Sequence, residues 1–244
     1  MAAGFDGLLW FALALLVLNY LQRLLHSEIQ IILLYLTRSP KWSILLFSFL
    51  FLPGVLLHEA SHYVMAKLLR VRTGRFSIIP RPLSDGRIRL GYVEVGQADA
   101  LRSTLIGMAP LIAGLAFTFL VTRIMNLTPL WSVLRDGKWE LFWFGLGLVP
   151  RIPNFWLWFY LTLVITSTMM PSVSDRHGWD GMALLIAVLA GLVLLSGGGP
   201  WLLQNILPPL NDFLRGTSLL LFLSITLHLL ASLPLHLLRR LLER

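Results

Sequence analysis

Five residues, His58-Glu59-Ala60-Ser61-His62, hold the most legible chemistry of this chain. Helical residues four apart share a face, so both imidazoles can point at a single Zn²⁺ ion with Glu59 beside them as a general base. The pentad lies inside an otherwise apolar stretch from about Trp42 to Leu69. A charge at the bilayer centre costs about 2.5–3.5 kcal/mol on insertion scales, so such groups are usually kept for function. A chance pentad on a soluble helix would face water, whereas 52–57 and 63–69 flank this one with side chains that are apolar except for Lys67. His26, His228 and His236 read as structural or interfacial, and His177 as a loop histidine that could also back a neighbouring carboxylate.

A catalytic zinc site takes three protein ligands and leaves a position for water, so a third ligand must come from elsewhere in the chain. There is no cysteine among the 244 residues, which excludes thiolate ligands, a cysteine nucleophile and a disulfide framework. Histidine and carboxylate must supply any metal site.

The elements that would position these groups are membrane helices. The chain is 57% hydrophobic and 13% charged, and no polar block is long enough to fold separately. The expectation is one all-α polytopic membrane domain over 1–244. Six apolar runs approach the roughly 20 residues that cross a bilayer, near 5–25, 42–66, 103–125, 141–170, 179–197 and 213–236. The fourth is broken by Pro150 and Pro153, so its first part reads as re-entrant or interfacial. The run 29–36 is too short to cross and is expected along the interface before Pro40. The first run has no preceding Lys or Arg and reads as a span, not a cleaved leader. Gly197-Gly198-Gly199-Pro200 reads as a turn.

The net charge of +8 is spread among short loops, which speaks for orientation in a lipid bilayer and against nucleic acid. The loop after the pentad holds Lys67, Arg70, Arg72, Arg75, Arg81, Arg87, Arg89 and Arg102, which marks its side as cytoplasmic. Alternating crossings then put both termini on that side, with Arg38 and Lys41 outside. Residues 71–97 read as a small β-hairpin turning at Asp85-Gly86, with a bulge at Gly91 where the apolar alternation changes phase. By helix rise His62 lies about 8 Å from Lys67 and His58 about 25 Å from Lys41, so the site is expected near the cytoplasmic face. That topology leaves Asp175 and Asp180 as the serious third ligands. Asp136, Glu140 and Asp212 fall on the far side, and Asp85, Glu94 and Asp99 sit in or after the hairpin.

Three features together resemble the site-2 protease family of intramembrane zinc metalloproteases, the M50 peptidases. They are the His-Glu-Ala-Ser-His helix followed by a basic hairpin, the small-residue helix Gly107-Met108-Ala109-Pro110-Leu111-Ile112-Ala113-Gly114, and the segment Met169-Met170-Pro171-Ser172-Val173-Ser174-Asp175. The likeness covers roughly 42–185. It implies a core of membrane helices in which the small-residue helix packs on the active-site helix, with His58, His62 and Asp175 holding Zn²⁺. Ser167 and Thr168 stand where the family commonly has an asparagine, and Arg176 follows Asp175 where a glycine is common.

The expected activity is zinc-dependent hydrolysis of peptide bonds in or near the transmembrane segment of a membrane-anchored protein, with Glu59 taking the proton of water and passing it to the leaving amine. Thr166, Ser167 and Thr168 could support the site, although hydroxyls bonding back to helix carbonyls are the blander reading. A second class of function is a catalytically silent, protease-like subunit serving as scaffold in a membrane protein complex. Metal transport is weaker, because a pathway should show ionisable groups along several spans.

Overall fold

The computed structural model describes residues 6–82, 88–176 and 178–243; the Asp85-Gly86 turn, Arg87 and His177 lie outside them. The described chain is mostly helical, with helices α1 (Gly7–Thr37), α2 (Pro40–Leu50), α3 (Leu52–Leu68), α4 (Ala100–Ile124), α5 (Thr128–Arg135), α6 (Trp139–Leu148), α7 (Phe155–Thr168), α8 (Trp179–Leu195), α9 (Gly199–Asn205) and α10 (Leu207–Leu242). Four helical segments are long and apolar enough to cross a membrane, or up to six spans if the bent pairs α2–α3 and α6–α7 each count as one. The chain is thus a multi-pass helical protein with a small β-element, as its composition suggests.

Proline sets both bends. Pro53, in the first turn of α3, lacks an N–H and crowds the carbonyl four residues back, and α2 and α3 meet at 66° around Phe51. Pro150 and Pro153 do the same between α6 and α7, which meet at 99°. The broken fourth run was expected. The bend in the second was not, and it means that the path from Lys41 to His58 is not straight. The expected break in the first run is also absent. Residues 29–36 continue α1 without interruption as far as Arg38, whose left-handed backbone (φ 48°) ends the helix ahead of Pro40.

Paired contacts fix the helix directions. Tyr160 bonds the Leu50 carbonyl and His58 the Thr168 carbonyl, a constant offset that makes α7 parallel to α3. His62 meets Ile106 and Val55 packs near Phe117, so α4 runs antiparallel to both. In α1, Gln22 reaches Thr166 while Ala14 and Leu18 cluster with Met169, which makes α1 antiparallel to α7. Helices α1 and α10 are parallel, tied at their starts by Gly7 N–H to Asn211 and by Asp6 to Arg215, and near their ends by Glu28 to His236 and Arg239.

One consequence corrects the alternating topology. α10 starts at the hairpin end of the bundle and leads away, so Arg239 and Arg240 lie opposite the hairpin instead of beside it. Gly178 packs against Ala100 at the hairpin end too, so the stretch from α8 through α9 leaves and returns at one end. Asp212, near the start of α10, is likewise at the hairpin end.

The β-element consists of β1 (Thr73–Ser77), β2 (Arg81–Pro82), β3 (Ile88–Arg89) and β4 (Tyr92–Val95), with antiparallel ladders β1–β4 and β2–β3. The bulge is on β1, not at Gly91: Thr73 pairs with Val95 and Phe76 with Val93, leaving Gly74 and Arg75 opposite Glu94. The Arg75 N–H donates to the Glu94 carboxylate at 3.0 Å, so a side chain occupies the donor freed by the extra residue.

Candidate metal centre

Helix α3 presents His58 and His62 one turn apart, both towards the crevice between α4 and the segment after α7. The Nδ1 of His58 lies 2.6 Å from the Thr168 carbonyl and that of His62 2.8 Å from the Ile106 carbonyl. A carbonyl only accepts, so each Nδ1 carries a proton, and in the neutral imidazole that leaves each Nε2 with its lone pair. The two Nε2 atoms are 3.2 Å apart.

Asp175 comes from a short 3₁₀ turn (Ser174–Arg176) beyond the end of α7. The Ser172 N–H donates to its Oδ2 at 2.7 Å. Its Oδ1 stands 3.4 Å from His62 Nε2, and its Oδ2 3.8 Å from His58 Nε2. Gly107 makes this placement feasible: a Cβ there would fall 1.8 Å from the Asp175 carbonyl oxygen. Gly114, a further two turns along α4, gives the same close approach to Met169. The small residues of α4 therefore seat the end of α7 and the Asp175 turn.

The three ligand atoms lie within 4.8 Å of one another. Zinc held tetrahedrally by bonds of about 2.0–2.1 Å separates its ligand atoms by about 3.3–3.4 Å, so these residues fit such an ion in spacing and in donor type. Three electron-rich atoms this close repel one another unless they share a positive charge. The negative end of the α7 dipole lies beside the cluster, where the Thr168 carbonyl meets His58, and adds to the preference for a cation. The site residues expected from the sequence are thus brought together, and Asp180, exposed in the first turn of α8, is not among them. Asp99, Asp136, Glu140, Asp212 and Glu94 are likewise exposed and outside the group.

Glu59 is buried on α3 next to the cluster. Gly91, in the strand connection ahead of β4, lies against it: a Cβ at Gly91 would come 2.9 Å from Glu59 Cγ and 3.1 Å from its Oε1. The hairpin backbone therefore dips into the bundle and forms one wall of the site. Relative to α1 and α10 the site is deep. From Gln22, level with Thr166, α1 continues about 22 Å in either direction. The 8 Å from Lys67 is a distance along α3 alone.

Of the three hydroxyl residues ending α7, two bond back along the helix, Thr166 to the Thr162 carbonyl and Thr168 to Val164 and Ile165. Ser167 instead meets His228 Nε2 at 2.8 Å. Sequence reasoning missed the two carbonyls that orient the histidines. Every residue has a carbonyl, so no residue type announces that role.

Comparison of the chain with protein-family models, curated proteins and solved structures returns no match.

Proposed function

We propose that the chain is an intramembrane zinc metalloprotease of the site-2 protease (M50) type, hydrolysing peptide bonds in or near the transmembrane segment of membrane-anchored proteins. The observation that supports this reading is the convergence of His58 Nε2, His62 Nε2 and the Asp175 carboxylate beside Glu59. Zinc held by these three would supply Lewis acidity to the scissile carbonyl and to the attacking water. Glu59 takes the proton of that water and delivers it to the leaving amine nitrogen as the C–N bond breaks. Gly91, with no side chain, leaves the carboxylate the room for this transfer. A substrate segment must unwind to expose its amide, and the extended β4 at the mouth of the site offers backbone groups on which an unwound strand can align.

The helix directions support five passes, made by α1, α2–α3, α4, α6–α7 and α10, with α8 and α9 held at the hairpin end. Lys67, Arg70, Arg72, Arg75 and Arg102 at that end favour its facing the cytoplasm. The test is cleavage of a single-span substrate in liposomes: Glu59→Gln abolishes turnover while zinc stays bound. Unimpaired turnover by that variant would rule the mechanism out. The second reading, a silent protease-like scaffold subunit, draws on Ser167, whose hydroxyl faces His228 and not the cluster, at a place where the resembled family commonly has an asparagine. It predicts stable co-purification with a membrane partner and no cleavage of any membrane substrate.

A further inference from the structure

Helix α7 ends at Thr168, and the last four carbonyls of any helix have no partner within it. Here side chains supply partners for three of the four. The Thr168 hydroxyl donates to the Ile165 carbonyl, Gln22 of α1 donates its amide N–H to the Thr166 carbonyl, and His58 donates to the Thr168 carbonyl. The remaining residue of that turn, Ser167, has its hydroxyl against His228 of α10. His228 is fully buried, and its Nδ1 is anchored on the Ser224 carbonyl at 2.8 Å. One helical turn is thus held on its rear side by α1 and α10 while its last carbonyl orients a metal-site histidine.

We propose that Gln22 and His228 are positioning residues for His58: they fix the last turn of α7, and through the Thr168 carbonyl they set the direction of the His58 Nε2 lone pair. This rests on the reading of His58, His62 and Asp175 as a metal site. The carbonyl that orients a ligating histidine is worth about 10–100-fold in metal affinity when disturbed. A turn freed from Gln22 and His228 can rotate or fray, because its carbonyls then seek other partners, and the Thr168 oxygen moves with it. Neither residue touches the ion, so their effect travels entirely through main-chain geometry.

The experiment loads the purified full-length chain in detergent with Co²⁺, following affinity by competition with a chelator and geometry by the visible absorption of the bound ion. The expected result is a loss of about tenfold or more in affinity and a shifted spectrum for His228→Leu and Gln22→Leu. His228→Gln, which keeps a side-chain partner for Ser167, recovers both in part. His236→Ala, on the same helix but away from α7, leaves both unchanged. Wild-type affinity and spectrum in His228→Leu and Gln22→Leu would overturn the positioning role while leaving the metal site standing. An equal loss in His236→Ala would overturn it as well, since general loosening of the bundle would then suffice. Failure of the wild-type chain to bind one Co²⁺ would instead remove the metal-site reading on which it rests.

Discussion

Among the described residues, two clusters bring histidine to a carboxylate, and they solve the same electrostatic problem in different ways. At the far end Glu28, almost fully buried, accepts from His236 Nδ1 at 2.9 Å and pairs with the Arg239 guanidinium at 3.2 Å. That cluster contains its own permanent positive charge. At the hairpin end Asp175 faces two histidines whose Nδ1 protons are committed to carbonyls, and among the described residues no lysine or arginine pairs with it. The first is a side-chain ion pair joining α1 to α10. The second is arranged so that lone pairs converge, which suits a cation supplied from outside. Histidine and carboxylate side by side therefore do not identify a metal site. What distinguishes one is the direction of the imidazole lone pairs and the absence of a competing guanidinium.

The largest expected effects break that distinction directly. Asp175→Ala, His58→Ala and His62→Ala each reduce bound zinc from about one per chain to a trace, measured by elemental analysis of the purified protein, because two ligands do not hold the ion. Asp180→Ala and Glu28→Gln leave it unchanged. Zinc lost in Asp180→Ala but retained in Asp175→Ala would reassign the third ligand.

The far-end cluster should fail differently. Arg239→Leu leaves the buried Glu28 carboxylate with His236 but without its permanent counter-charge, and removing one partner of a buried pair costs about 3–5 kcal/mol. Thermal unfolding in detergent would show this as a marked drop in midpoint with zinc still bound to the surviving folded fraction. Glu28→Leu combined with Arg239→Leu recovers much of the loss, since apolar replacement of both partners is often neutral. A double variant as unstable as the single one would mean that the pair itself, and not the stranded charge, matters.

Between these lies the packing of the Asp175 turn. Gly107→Ala places a methyl group where the Asp175 carbonyl now sits, so the turn must shift and zinc affinity should fall about tenfold or more. Gly147→Ala, with open space around its Cβ position, should change neither affinity nor stability.

These contrasts also explain how far the residues could be read in advance. His58, Glu59 and His62 were legible because helical spacing alone puts them on one side of one element. Asp175 could be narrowed only to a pair with Asp180, because its meeting with the histidines depends on how α4 and α7 pack, over a hundred residues away in the chain. The continuity of α1 was hidden by Glu28, a charge that breaks an apolar run on paper and is met in the fold by His236 and Arg239 of α10. The direction of α10 was misread for a related reason. Alternating the loops assumes that every long apolar run crosses, and the stretch from α8 to α9 starts and finishes at one end. The bulge was anticipated, but at Gly91, whose missing side chain serves Glu59 instead, while Gly74 and Arg75 take the extra position opposite Glu94.

A third carboxylate, one that water already serves, sharpens the comparison at its smallest scale. Asp99 sits at the exposed start of α4 and accepts the Arg102 backbone N–H at 3.0 Å, with the Arg102 guanidinium 3.3 Å away. The backbone N–H holds the Asp99 carboxyl below its usual range, slight desolvation opposes this, and the Arg102 charge adds to it. A carboxylate whose folded value is depressed stabilises the folded state above the unfolded value of about 3.9, and that contribution disappears as pH falls through the lower folded value. Asp99→Ala should therefore speed amide exchange at Arg102 relative to the wild-type chain at neutral pH, and the difference should close below about pH 4. Zinc content and the unfolding midpoint should hardly move, because solvent screens the exposed pair and only one cap is lost. A drop in midpoint as large as that of Arg239→Leu would show that burial is not what separates the carboxylates of this protein.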